Sequence, residues 1–241
     1  LLQEYRKAVI SEAVTKGLDP TVAMKESGIE WIGEIPTGWE TSTIFGVTSL
    51  ITNGYVGPTR DLFVDSGVRY LQSLHIVNGD IDFDKHPYYV PEEWSALHSR
   101  SVLSTGDVLV VQTGAIGNCA HVFDVYAGSN CHALIVLRSD DAVMVGRYLY
   151  YYLLSDIGKE KLLLTRTGAT HPHLNSTKIR FVSVLVPPLD EQRAIADYLD
   201  TKTAEIDSLI ADKRTLIDKL REYRKSLISE IVTGKIKVPG V

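Results

Sequence analysis

The chain has 241 residues, 44% of them hydrophobic and 23% charged, which is the composition of a folded globular protein of one or two domains and excludes a disordered or fibrous one. Its net charge of −5 argues against a simple nucleic-acid binder, whose surface is usually basic. No run approaches the roughly 18 uninterrupted apolar residues of a membrane span, and two cysteines are too few for a disulfide-built secreted scaffold, so we expect a cytoplasmic protein outside the membrane.

The first predicted element is the end of a helix. Residues 1–10, LLQEYRKAVI, are amphipathic and carry neither a starting Met nor the apolar region of a signal peptide. We therefore expect the sequence to begin in the middle of a helix, as a piece of a longer chain does, and this helix to occupy residues 1–17.

Residues 18–187 predict a globule of mixed helix and sheet. Apolar runs bounded by Gly, Asp, Asn and Pro predict strands at Val68–Leu71, Val108–Val111, 133–137 and 181–186. Residues 146–155 predict a helix whose tyrosines belong to the core and its rim. Trp31 and Trp39 flank a turn and are expected to anchor the packing there.

One long helix is predicted over residues 190–233. Pro187 and Pro188 close the preceding segment, Asp190 stands at the expected N-cap, and Gly234 is a natural residue after the last turn. No Gly or Pro interrupts the 44 residues between these ends, which amount to about 66 Å at 1.5 Å per residue.

This helix carries an apolar seam with spacings of three and four residues. Lys202 and Lys213 interrupt the seam and can fix its register. Because a helix this long cannot bury its seam on one small globule, we predict a partner helix rather than simple packing on its own core. The expected helix–helix and subunit interface consists of Leu199, Ile206, Leu209, Leu216, Leu220, Tyr223 and Leu227.

The end of the chain repeats its beginning. Residues 2–15, LQEYRKAVISEAVT, return at 220–233 as LREYRKSLISEIVT, with ten of fourteen positions identical and no gap. The period of 218 residues is far too long for a solenoid. The repeat indicates the end of one unit followed by a complete unit of globule and helix, in a duplicated chain with pseudo-symmetry.

Enzyme motifs are missing from the sequence. It contains no Gly-rich phosphate loop followed by Lys-Ser/Thr, no G-x-S-x-G and no H-E-x-x-H. The acidic pairs at 82/84 and 140/141 are more typical of solvated loops than of catalysis. Cys119 with Cys131 and His132, or His171 with His173, fits no closed zinc pattern, so buried thiols and loop histidines are favoured.

Charge is unevenly spread along the globule. Residues 159–180 carry five Lys and Arg against Glu160 alone, whereas residues 61–93 carry seven acidic residues against two basic ones. Ordinary surface charge accounts for so short a basic run about as well as a binding site does.

Three loops are rich in hydrogen-bond donors, at 53–60, 112–118 and 165–175. Arg and Asn can read guanine and adenine edges with two hydrogen bonds, and Thr and backbone amides suit phosphates. Together the loops suit a DNA-reading surface better than a catalytic pocket. The predicted DNA contacts are Tyr55, Arg60, Gln112, Thr113, Lys159, Arg166, Thr167, Thr170, His171, His173, Asn175 and Lys178.

Several stretches resemble the specificity subunit of type I restriction–modification enzymes. Residues 186–210, VPPLDEQRAIADYLDTKTAEIDSLI, and 219–236, KLREYRKSLISEIVTGKI, are similar to its conserved spacer region. Residues 24–40 resemble the entry to its target recognition domain, and residues 106–118 and 166–175 resemble internal landmarks. The resemblance covers essentially the whole chain, and P-P-L-x-E-Q-x-x-I is its most specific part. A single recognition domain departs from that family's tandem arrangement and leaves open a fragment or a natural half-subunit.

The resemblance implies the α+β class: a target recognition globule with a twisted β-sheet at 18–187, and a spacer helix and tail at 188–241 that form an antiparallel coiled coil. It makes residues 1–17 the end of a preceding spacer helix. It implies a non-catalytic subunit that reads half of a bipartite DNA target and docks modification methyltransferase and restriction or translocase subunits. S-adenosylmethionine and ATP with Mg²⁺ are then expected on those partners only, with no cofactor on this chain. A chain used alone is expected to form a homodimer that restores two recognition domains.

Two functions of other classes remain open at the level of sequence. One is a protein–protein adaptor whose coiled coil is the function and whose globule binds no DNA. The other is a self-contained nuclease or methyltransferase, which the missing motifs disfavour.

Overall fold

The structure is a computed structural model that describes residues 1–29, 31–59, 61–168, 172–233 and 235–236. Three predicted DNA contacts, Arg60, Thr170 and His171, lie outside the described residues. Within the part described, no helix is long and apolar enough to cross a membrane.

Helices and strands alternate irregularly along the chain, as expected for the α+β class. The helices are α1 (Leu2–Lys16), α2 (Glu92–Leu97), α3 (Gly146–Leu154), α4 (Asp156–Leu164), α5 (Ser176–Ile179) and α6 (Leu189–Val232). The strands are β1 (Met24–Glu26), β2 (Glu34–Pro36), β3 (Glu40–Thr43), β4 (Thr48–Asn53), β5 (Val68–Leu71), β6 (Ile76–Val77), β7 (Asp80–Ile81), β8 (Tyr89–Val90), β9 (Val108–Val111), β10 (Cys119–His121), β11 (Asn130–Cys131), β12 (Leu134–Ser139), β13 (Arg166–Thr167), β14 (His173–Leu174) and β15 (Ser183–Val186).

A four-stranded antiparallel sheet in the order β10-β9-β12-β4 lies at the centre of the globule. Its side chains alternate between two buried faces, as the two-residue period of a strand requires. Val108 and Val110 join one apolar cluster with the tyrosine-rich helix α3, whereas Leu109 and Val111 join a second cluster on the other face. Burial on both faces explains why β9 is an uninterrupted apolar run.

Smaller sheets extend this core. Strand β5 pairs with β11 in parallel and with β8 in antiparallel fashion. The remaining pairs, β1–β2, β3–β15, β6–β7 and β13–β14, are antiparallel. The tyrosines of α3 that are predicted to belong to the core are buried, and so is Trp39. Trp31, in contrast, is 37% exposed. The Lys161 ammonium lies 3.7 Å from the centroid of the Trp31 ring.

The chain divides into two compact units. One consists of Lys7–Leu199, and the other of Leu1–Arg6 with Asp200–Val241, so that both boundaries fall inside helices α1 and α6. In the first unit, α1 contributes Val9, Ile10, Ala13 and Val14 to the core. In the second, the Arg6 guanidinium lies 3.1 Å from the Asp207 carboxylate.

Helix α6 is 44 residues long, as predicted, but begins and ends one residue earlier. The prediction that Asp190 is the N-cap is therefore wrong, because Asp190 lies in the first helical turn. The buried amide of Gln192 holds this end of the helix. It accepts from the Val145 backbone N–H at 2.7 Å and donates to the carbonyls of Val143 and Pro187 at 2.9 and 2.8 Å. A fully satisfied buried amide explains the Gln of the P-P-L-x-E-Q motif.

Burial along the predicted seam of α6 decreases toward its end. Leu199 belongs to the core of the first unit, and Ile206 is also buried. Beyond Ile206 the seam is half-buried only at Leu227. The exposed seam residues are Leu209, Leu216, Leu220 and Tyr223.

Candidate nucleic-acid interface

Two of the donor-rich loops leave the central sheet at the same end. Strands β4 and β9 both run antiparallel to β12, so their carboxyl ends meet the same edge. Ile135 of β12 pairs with Asn53 on one side and with Val110 on the other. Since neighbouring strands lie about 4.8 Å apart, the loops after β4 and β9 start about 10 Å from each other.

The loop after β4 is fixed by a close backbone approach and an aromatic cluster. A Cβ at Gly54 would stand 2.7 Å from the Cys131 carbonyl oxygen, so only glycine fits. The Tyr55 N–H donates to that carbonyl at 2.9 Å. The Tyr55 ring meets Trp94 and His98 edge-on, with centroids 5.0 and 4.9 Å away. These contacts make Tyr55 a residue that positions the loop.

The loop at 112–118 joins β9 to β10 and is tied to strand β14. Gly114 and Gly117 both have φ of +79°, which favours glycine. The Gln112 amide donates to the Leu174 carbonyl at 3.1 Å, and the Leu174 N–H donates to the Gln112 carbonyl at 3.0 Å. Gln112 thus holds the two loops together, whereas the neighbouring Thr113 is exposed.

The third loop contains the hairpin of β13 and β14. Arg166 is opposite Leu174 and Thr167 opposite His173, with the Thr167 hydroxyl 3.2 Å from the His173 Nε2. Arg166 is exposed, and its Nε donates to the Leu163 carbonyl at 2.9 Å. That bond fixes the base of the guanidinium while its terminal nitrogens have no bond to another described residue.

Asn175, Lys159 and Lys178 differ in what they contact. The Asn175 side chain accepts from the Thr177 and Lys178 backbone N–H groups at 2.9 and 3.1 Å and so caps α5. The Lys159 ammonium donates to the Asn118 side chain at 3.3 Å, which ties α4 to the second loop. The Lys178 side chain is exposed.

A groove lies between strand β4 and the segment 176–181 that contains helix α5. Its volume is about 370 Å³, and it is lined by residues 51–53 of β4 and by Ser176, Thr177, Arg180 and Phe181. The Asn53 amide lies 3.5 Å from the Ser176 hydroxyl across it. The sequence predictions include none of the latter four residues as contacts, although Arg180 ends the basic stretch and Phe181 is an aromatic at an exposed position.

Neither cysteine is placed for chemistry. Both thiols are free and buried, and burial raises the pKa of Cys119 and of Cys131 to about 12, so they stay protonated at neutral pH. The described residues contain no group of three or more His, Cys, Asp or Glu that could hold a metal ion.

Comparison with protein families identifies the family of the chain. Residues 36–218 match the family model described as the type I restriction modification DNA specificity domain. The chain belongs to this family.

Named relatives agree with this specificity-domain assignment. The chain is 24% identical over 246 residues to the type I restriction enzyme MjaVIII specificity subunit of Methanocaldococcus jannaschii, covering all of this chain and 56% of that protein. It is also 24% identical over 213 residues to the EcoKI specificity subunit of Escherichia coli, covering 85% of this chain and 44% of that one. The specificity-domain chain thus spans about half the length of the curated relatives it matches.

Solved structures share the fold. A chain from a structure on complex assembly and conformational transition of the type I R-M system has a TM-score of 0.67 at 18% identity, over 95% of this chain and 51% of that one. The HsdS subunit from Thermoanaerobacter tengcongensis has a TM-score of 0.59 at 20% identity, over 90% and 53%. The specificity-domain match extends to residue 218, inside helix α6, and therefore includes the three loops and most of the long helix.

Proposed function

We propose that this chain is a DNA-recognition subunit that reads one half of a bipartite target for a type I restriction–modification complex. The observation that carries the proposal lies inside a DNA specificity domain: Gln112 of the second loop bonds Leu174 of the third, and Asn53 at the end of β4 bonds Ser176 at the start of α5. Residues 159–180, which include the third loop, carry a local charge excess of +4. A surface of fixed donors with positive charge can position phosphates and read base edges.

The predicted contacts divide into two groups by their partners. Tyr55, Gln112 and Asn175 are engaged in holding the loops and helix α5, so we assign them a positioning role. The terminal nitrogens of Arg166 bond no other residue in the part of the chain that the structure describes, and they can bond a guanine edge with two hydrogen bonds. Exposed Lys178 suits a phosphate contact, which adds affinity without sequence preference.

The sequence repeat supports a second recognition domain as partner of α6. Residues of α1 that are buried in the core of Lys7–Leu199 are Val9, Ile10, Ala13 and Val14. Their counterparts 218 positions later are Leu227, Ile228, Ile231 and Val232. Ile228 is 51% exposed and Val232 80% exposed. We infer that the end of α6 packs on another recognition domain as α1 packs on this one, which in a chain used alone makes an antiparallel homodimer.

The remaining chemistry is assigned to other subunits. The chain acts without catalysing a reaction and docks modification methyltransferase and restriction or translocase subunits. S-adenosylmethionine and ATP with Mg²⁺ belong to those subunits, because the sequence contains no motif for either cofactor. A subunit that selects cellular DNA in this way works in the cytoplasm.

Selection of bound duplexes from a random-sequence library tests the proposal. The 241-residue chain should enrich a defined half-site, or two half-sites at fixed spacing. Arg166→Ala should weaken the selected site by about 1–3 kcal/mol and relax the preference at one base pair. Lys25→Ala on strand β1 removes one exposed positive charge outside the three loops and serves as the control. A chain that enriches no sequence would instead be the coiled-coil adaptor.

A further inference from the structure

The groove beside the end of β4 has the chemistry of an anion site. Its walls offer the hydroxyls of Ser176 and Thr177, the amide of Asn53 and the guanidinium of Arg180, and none of its lining residues is acidic. Donors without a competing carboxylate favour a negatively charged ligand. A volume of about 370 Å³ leaves room for a phosphodiester with part of its sugar.

Arg180 is held in place without losing its charge or its donors. The guanidinium carbon lies 4.2 Å from the centroid of the Phe45 ring, and the Phe45 backbone N–H donates to the Arg180 carbonyl at 3.0 Å. Stacking on a ring orients the guanidinium and leaves the N–H groups at its edge free. Within the ranges that the structure describes, Arg180 forms no side-chain hydrogen bond or ion pair. A fixed, half-buried cation without an acid beside it is suited to an external anion.

The groove adjoins two of the proposed recognition loops. Asn53 directly precedes the loop at 54–59, and Ser176 directly follows the loop at 165–175. An anion bound between them would therefore lie next to the bases that these loops contact. In duplex DNA the group at that place is a backbone phosphate, one of which occurs per about 3.4 Å of each strand.

We propose that this groove binds one phosphate of the DNA backbone, with Arg180 as its main contact and Ser176 and Thr177 as hydroxyl donors. The proposal rests on the proposed function and adds a subsite that fixes the register of the domain on its target. It assigns affinity and position to the groove and leaves base preference to the loops.

The salt dependence of binding to a selected duplex tests this subsite. Each phosphate contact contributes about −0.9 to the slope of log Kobs against log salt, so Arg180→Ala should make the slope shallower by about 0.9. Between 50 and 200 mM salt this corresponds to a loss of affinity about 3.5-fold smaller than that of the wild-type chain. Thr177→Ala, at an exposed position, should weaken binding without changing the slope, and Lys25→Ala should change neither. Tryptophan fluorescence during denaturation verifies that each variant is folded.

A second arm locates the phosphate. In duplexes that each carry one neutral methylphosphonate, the substitution at one of the positions that weaken the wild-type chain should cause no further loss in Arg180→Ala. Inorganic phosphate at constant ionic strength is the probe for a free-anion site. Phosphate binding by the wild-type chain but not by Arg180→Ala, with equal DNA slopes for both, would overturn the DNA assignment. So would equal slopes and a fully additive methylphosphonate loss. No duplex binding by the wild-type chain would remove the proposed function together with this subsite.

Discussion

Residues 2–15 and 220–233 are identical at ten of fourteen positions but differ in how deeply their apolar side chains are buried. In the first copy Ile10 is 1% exposed and Val14 is fully buried in the core of the globule. In the second, Ile228 is 51% exposed and Val232 80% exposed. The same amphipathic helix is therefore a core element in one place and an open apolar face in the other. The first copy packs against a globule, whereas most of the apolar side chains of the second are exposed. The helix sequence alone does not determine burial.

Alanine substitution at the equivalent positions Ile10 and Ile228 should change the unfolding free energy by different amounts. Ile10→Ala removes a buried side chain and should lower the unfolding free energy by about 2–5 kcal/mol. Ile228→Ala removes an exposed one and should change it by no more than about 0.5 kcal/mol in the monomer. Denaturation followed by tryptophan fluorescence measures this, since Trp31, Trp39 and Trp94 all lie in the first unit. Equal losses at both positions would show that the second copy is already buried.

Measurements of self-association test whether the second copy, residues 220–233, packs on a partner. If α6 packs on a partner, Leu220→Ala should raise the homodimer Kd about a hundredfold or more, because each of the two protomers loses a buried leucine that contributes about 1.5–3 kcal/mol. Lys219→Ala, at the adjacent exposed position, is the matched control and should leave Kd unchanged. Sedimentation across a range of protein concentrations gives both values. A wild-type chain that stays monomeric at tens of micromolar would contradict the homodimer.

Mild acid should lower the stability of the globule while the helical content of α6 stays unchanged. The His75 Nδ1 accepts the Gln72 N–H at 2.9 Å and its Nε2 lies 2.8 Å from the His86 carbonyl, which fixes the neutral ring. Burial lowers the pKa of His75, so the unfolded chain takes up a proton below pH about 6.5 that the folded chain refuses. The contribution of His75 to the unfolding free energy should thus be fully present above pH about 6.5. At lower pH the unfolding free energy should decrease, by up to about 1.4 kcal/mol per pH unit.

Helix α6 is the internal comparison in the same pH experiment, because it contains no histidine. All seven histidines lie between residues 75 and 173, and α6 contains none. Between pH 7.5 and 5.5 the denaturation midpoint read by tryptophan fluorescence should fall, while the helical content of α6 stays constant. His86→Gln, at an exposed position, should retain the pH dependence. A pH-independent midpoint would show that His75 does not couple folding to protonation.

The sequence predicts the long elements well and the short ones poorly. Strands β5 and β9 have the bounds predicted for them, because each is an apolar run between turn residues. The two-residue strands β6, β7, β8, β11, β13 and β14 escape prediction, since two residues cannot display a period. Polar strand β3, Glu40–Thr43, becomes recognisable only through its pairing with β15.

The candidate site shows a different limit. Gln112 and Asn175 have the side chains that read bases, and nothing local distinguishes them from readers. Their amides instead bond Leu174 and the start of α5. Arg180 is the opposite case, since its stacking on Phe45 joins residues 135 positions apart in the chain. Tertiary partners, which no single sequence displays, decide these roles.

The hydrogen bonds that hold the loops in place use main-chain partners. The tie between the second and third loops uses the main-chain atoms of Leu174, and the tie at Tyr55 uses the carbonyl of Cys131. Main-chain partners persist whatever side chains stand beside them. On the proposed function, substitutions at exposed Thr113 or Arg166 should therefore alter the preferred bases while the loops keep their backbone positions. The proposed function then predicts that new specificities arise one substitution at a time on an unchanged fold.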